Sequence, residues 1–107
     1  MIEAVYHKKY NMLTVTGHAN SGEPGHDLVC ASASILAYTL AANVETLVEA
    51  GQAKYPSIKL EAGDAKVRCD AVRRYSSVVQ LIFSSICAGF SLLASNYPDY
   101  ITYKVME

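Results

Sequence analysis

Ser57-Ile58-Lys59-Leu60-Glu61-Ala62-Gly63-Asp64-Ala65-Lys66-Val67-Arg68-Cys69-Asp70-Ala71-Val72 reads as two stretches, 57–62 and 66–72, that alternate with period two around Gly63-Asp64. Period-two alternation is a strand signal, and Gly-Asp is favoured in tight hairpin turns. A hairpin in the middle of the chain makes the sheet antiparallel there. That separates this chain from folds in which strands and helices alternate along a parallel sheet.

Upstream of the hairpin, residues 28–50 carry Val29, Ile35/Leu36, Leu40, Val44 and Leu47/Val48 at helical spacing, with Gly51 as a stop signal. Downstream, residues 75–96 repeat the pattern with Val78/Val79, Ile82/Phe83, Ile86, Phe90 and Leu93 until Pro98 ends it. Two shorter alternating runs, 2–7 and 12–17, flank a polar turn at 8–11 and form a first hairpin, ending at His18. A last run, 100–105, adds a fifth strand. The order ββαββαβ with four strands in hairpins predicts an α+β fold: a mostly antiparallel five-stranded sheet with both long helices packed on one face. The 107 residues suffice for one domain, 1–107, and not for two. The other sheet face is then solvated or covered by a partner. With eight tyrosines and 51% hydrophobic residues, a homodimer is expected.

A formal net charge of −1, with acids and bases interspersed, leaves no basic stripe for a phosphate backbone, so no direct nucleic-acid partner is expected. Two uncharged runs, 28–44 and 75–98, deserve weighing as membrane spans, and the second is long enough to cross a bilayer. Both are dotted with Ser, Thr, Asn, Gln or Gly, which fits buried helices of a globular domain better, so no membrane partner is expected. Of the three cysteines, Cys69 falls in a strand-like segment and Cys87 in a helix-like one, the places of core thiols. No pair has zinc-ribbon spacing, and an odd count without a secretory signal points to a reducing cytoplasm.

The third cysteine has a different setting. In Gly17-His18-Ala19-Asn20-Ser21-Gly22-Glu23-Pro24-Gly25-His26-Asp27-Leu28-Val29-Cys30-Ala31-Ser32-Ala33-Ser34, a histidine at a strand end and a cysteine at a helix start bracket a glycine-bearing loop. Gly22 and Gly25 free that loop from ordinary backbone restrictions. Asp27 reads as the helix N-cap, which puts Cys30 in the first helical turn, where unpaired N–H groups favour a thiolate. His18 is then the candidate general base, and the loop over 19–26 is expected to close on a bound peptide. On the bland reading Cys30 is a small buried hydrophobe and His18 merely bonds a carbonyl at a strand end. Ser34 lies one turn after Cys30 on the same face, in a supporting role or bonded to its own backbone. His18, His26 and Cys30 also offer metal-ligand types. An Asp27 cap would leave His26 outside the helix, and a structural zinc site would need a fourth ligand, so neither metal nor cofactor is expected and His26 is taken as a loop residue near the site.

These residues resemble a known family. Gly17-His18-Ala19, then Gly25-His26-Asp27-Leu28-Val29-Cys30-Ala31, then Ser34, is similar to the signature of the ribosomal-processing cysteine proteases, Prp. The length and element order fit over essentially the whole chain. The resemblance implies a cytoplasmic, typically dimeric cysteine endopeptidase that removes the N-terminal extension of a large-subunit ribosomal protein precursor. The cut would follow a short apolar segment ending in aromatic residues, with a small residue after it. Carried over by motif position, Cys30 is the nucleophile, His18 the general base, and Asp27 the acidic position before the cysteine. Relatives also occur in phage genomes, where the target would be a virion precursor. Outside protease function, the competing readings are a ribosome-associated binding module that does not cleave and a thiol protein that senses metal or redox state.

Overall fold

The computed structural model describes residues 1–18 and 26–107; the side chains of His26 and Asp27 lie outside that description. The chain forms β1 (Ile2–His7), β2 (Met12–Thr16), α1 (His26–Glu49), β3 (Ala53–Glu61), β4 (Asp64–Ala71), α2 (Ser76–Asn96) and β5 (Ile101–Met106). Single 3-10 turns at Lys8–Tyr10 and Arg73–Tyr75 lead into β2 and α2. The ββαββαβ order and the mostly antiparallel sheet are as the sequence predicts.

The strands lie in the order β3-β4-β2-β1-β5. Both hairpins and the β2–β4 pair that joins them are antiparallel, while β5 runs parallel to β1, Ile101 opposite Ile2. Pairing β2 with β4 sets Thr16 opposite Asp64. The end of the first hairpin, which carries His18, therefore meets the turn of the second. That turn is Ala62-Gly63, since Glu61 pairs with Asp64, one residue earlier than the Gly63-Asp64 expected from sequence.

One sheet face is apolar because alternate residues on each strand are. Ile2, Ala4 and Tyr6 of β1, Leu13 of β2, Val67 and Cys69 of β4 and Ile101 of β5 are all buried. Helix α1 covers this face over β3 and β4 with Val29, Ala33, Leu40, Val44 and Leu47, and α2 lies toward β5 with Val79, Phe83, Cys87 and Phe90. The helices touch each other where Gly89 leaves no side chain: a Cβ there would come 2.6 Å from Leu36 Cδ2. Both helices are long and apolar enough to span a membrane by length and composition, and each lays a stripe of buried residues on the sheet.

Two boundaries differ from the sequence reading. Strand β3 begins at Ala53 rather than 57, because Tyr55 takes a left-handed φ of 54° and the register slips between Lys54 and Ser57, which hides the alternation there. Helix α1 begins at His26, so Asp27 is not its N-cap but a residue of its first turn. Aspartate suits both positions, as a side-chain acceptor at a cap and as a negative charge beside the N-terminal dipole, so its type alone does not separate them.

Candidate active site

The site is assembled from a strand end, a hairpin turn and a helix start. At the end of β2 the chain must leave the sheet in little space, and Gly17 does so with φ 98°; a Cβ there would collide with the carbonyl oxygen of Met1. Two hydrogen bonds fix this corner. Gly17 N–H donates to the Gly63 carbonyl at 3.0 Å, extending the β2–β4 ladder by one rung, and the Met1 ammonium donates to the His18 carbonyl at 3.0 Å.

His18 and Cys30 line the same cleft, a hollow of about 290 Å³ between α1 and the β3–β4 hairpin. Cys30 is half-buried, while Val29 beside it is fully buried and holds the start of α1 on the sheet. Ser34 and Tyr38 follow at one-turn spacing and line the cleft as well, so this stripe of α1 forms one wall. Ile2, Val15 and Leu60 make the opposite side partly apolar.

With α1 starting at His26, Cys30 is its fifth residue, just past the first turn rather than within it. The thiol keeps its relation to the helix end nonetheless, because Cα–Cβ bonds on a helix tilt toward the N-terminus and carry the side chain back over the preceding turn. The amide groups of 26–28 at that end have no acceptor within the helix.

The other two thiols are placed differently. Burial pushes Cys69 up to about 11, with Asp70 adding to the effect and Arg68 opposing it. Cys87 is likewise pushed up to about 11 by burial, partly offset by a hydrogen bond with Tyr103. Both are 1% exposed or less and remain neutral thiols at physiological pH, packed in the core as expected.

The structure thus brings together His18, Cys30 and Ser34. Gly22 and Gly25 lie outside the described residues, as do the side chains of His26 and Asp27. His26, expected in the loop, is instead the first residue of α1, four residues before Cys30 on the same helix. Among the described residues, no three His, Cys, Asp or Glu side chains cluster as metal ligands do.

Sequence reasoning missed the contribution of the second hairpin. Leu60 reads as an ordinary strand residue and Gly63 only as a turn former, yet both line the cleft. Their role depends on the β2–β4 pairing, and the only signal in the sequence was the turn dipeptide itself.

Known proteins agree with this architecture. The family model described as cysteine protease Prp matches residues 1–102. SMU.848 from Streptococcus mutans superposes with a TM-score of 0.74 at 32% identity, over 99% of this chain and 94% of its own. An essential ribosomal processing protease Prp from S. aureus, solved in complex with a substrate peptide, has a TM-score of 0.69 at 21% identity, over 97% of this chain and 96% of its own. The same S. aureus protease with a covalently linked product peptide has a TM-score of 0.68 at 22% identity and the same coverage. No curated protein matches the sequence.

Proposed function

The chain belongs to the cysteine protease Prp family, and from that premise we propose that it is an endopeptidase that removes the N-terminal extension of a large-subunit ribosomal protein precursor. The observation that carries this reading is the placement of His18 and Cys30 on one cleft, with Cys30 near the N-terminal end of α1. The S. aureus protease of the same fold was captured with a substrate peptide and with a covalently linked product peptide. A covalent product is what a nucleophilic thiol leaves.

In this mechanism the substrate strand lies along the cleft with an apolar or aromatic side chain against Tyr38 and Leu60. His18 takes the Cys30 proton, and Sγ attacks the scissile carbonyl carbon. The amide groups of 26–28 at the free end of α1 stabilise the oxyanion that forms, a contribution typically worth about 10²–10³ in rate per donor. As the C–N bond breaks, His18 gives its proton to the departing amine. Water then attacks the acyl-enzyme, with His18 accepting its proton, and the thiol is restored. In this reading the enzyme acts in the cytoplasm, and it acts as a homodimer, for which the exposure of Leu81 and Leu92 on α2 offers apolar surface.

The test pairs wild type with Cys30→Ala on a peptide carrying an apolar, Phe-ending extension followed by Ala, with products read by mass. A single cut after the aromatic residue, absent in the variant, is the expected result. No cut, together with a Cys30 inert to alkylation, would identify a binding module instead.

A further inference from the structure

We propose that Gly63, in the turn between β3 and β4, is a positioning residue for His18: its missing side chain is the space that the imidazole occupies. The proposal rests on the reading of His18 as general base. A Cβ built on Gly63 would come 2.9 Å from His18 Nδ1 and nearer still to Cε1 and Nε2, so the Nδ1–Cε1–Nε2 edge of the ring takes the space a side chain at 63 would need. The same glycine accepts the Gly17 N–H through its carbonyl, fixing the backbone one residue before His18. Backbone and ring of the base are thus set by one turn residue on a different hairpin.

Two requirements fall on this residue and can be separated. Gly63 has φ 74°, which disfavours any L side chain on backbone grounds alone. Gly51, after α1, has φ 73° and open space around its would-be Cβ. It therefore carries the same backbone restriction without the contact, and it lies outside the cleft. The His18 ring, being a side chain on an exposed corner, yields to a Cβ at 63 by leaving the position it now holds in the cleft. A displacement of about 1 Å in a reacting group costs on the order of 10²-fold in rate.

The experiment compares Gly63→Ala, Gly51→Ala, His18→Ala and the double variant His18→Ala/Gly63→Ala, using the Phe-ending peptide and measuring kcat and KM with melting temperature alongside. Gly63→Asn is included because asparagine tolerates the left-handed region while still carrying a Cβ, so it reports on the contact if the alanine variant folds poorly. Gly63→Ala and Gly63→Asn are expected to lose about 10²-fold in kcat with KM within about twofold. Gly51→Ala should match the melting loss of Gly63→Ala and keep wild-type kcat. The double variant should be no slower than His18→Ala, since a base already removed cannot be misplaced. If His18→Ala is inactive while both Gly63 variants retain the kcat of Gly51→Ala, the positioning role is overturned and the protease reading stands. If His18→Ala cleaves like wild type, the assignment of the base fails, and the role of Gly63 with it.

Discussion

Cys30, Cys69 and Cys87 share one side-chain chemistry, and their surroundings give them different reactivity. Cys69 and Cys87 are shut in the core, 0% and 1% exposed, and burial raises both to about 11. Reaction with an alkylating agent requires a thiolate and access, and these two offer neither. Cys30 is half-buried on an open cleft. Iodoacetamide near neutral pH should therefore add one carbamidomethyl group per folded chain, found on the Cys30 peptide by mass, while addition in urea should label all three cysteines. Rapid labelling of Cys69 or Cys87 without denaturant would mean that the core is more open than its packing shows. Replacing Cys30 by alanine deletes one sulfur from a half-buried position, so the melting temperature should stay close to wild type while peptide cleavage is lost. A variant that failed to fold would instead assign Cys30 to the core.

Helix α1 shows both what the sequence reveals of an element and where it stops. Its apolar stripe, with Val29, Leu40 and Val44 fully buried, was plain in the spacing of the residues. Its first residue was not, because Asp27 suits a cap and a first turn alike. The difference is measurable. Asparagine caps a helix about as well as aspartate, so Asp27→Asn would be neutral at a cap. In the first turn, removing the charge forfeits its interaction with the helix dipole, about 0.3–1 kcal/mol at low ionic strength and less at high salt. Urea denaturation of Asp27→Asn at two salt concentrations should show that loss shrinking as salt rises. Strand β3 was foreshortened in the sequence for another physical reason: Pro56 and the left-handed Tyr55 interrupt the alternation that marks a strand. The site divides along the same line. His18, Cys30 and Ser34 were legible because helix start and strand end are local signals. Gly63 was not, because its contact with His18 exists only once β2 has paired with β4. Helix α2 docks through Phe83, fully buried and stacked on Tyr6 of β1 with ring centroids 6.1 Å apart. Phe83→Ala should cost about 3–5 kcal/mol in unfolding free energy, the range for truncating a core aromatic. A loss below about 1 kcal/mol would show that α2 does not depend on this contact.

For the molecule as a whole, the two core thiols make alkaline stability a test of the packing. In the unfolded chain a cysteine ionises near pH 8.5, whereas in the fold Cys69 and Cys87 hold their protons to about 11. Below about pH 8 both states keep these protons, and the thiols give stability no pH dependence. Between about 8.5 and 11 the unfolded state releases protons that the folded state retains. It then binds fewer protons than the native state, and the free energy of unfolding falls as pH rises. A displacement of this size corresponds to roughly 1–3 kcal/mol per thiol by the top of the window. Tyr103 and Tyr6, also raised by burial, push in the same direction at higher pH. Urea midpoints measured from pH 8 to 11 should therefore decline, and a Cys69→Ala/Cys87→Ala variant, less stable at neutral pH because of the cavities it creates, should decline more gently. Equal slopes would mean that the core admits enough water for the thiols to ionise in the fold. The cleft and the core share α1, with Val29 in one and Cys30 on the other. Cleavage activity should therefore not outlast the fold, and activity measured beyond the pH at which the urea transition is lost would mean that the cleft does not depend on this core.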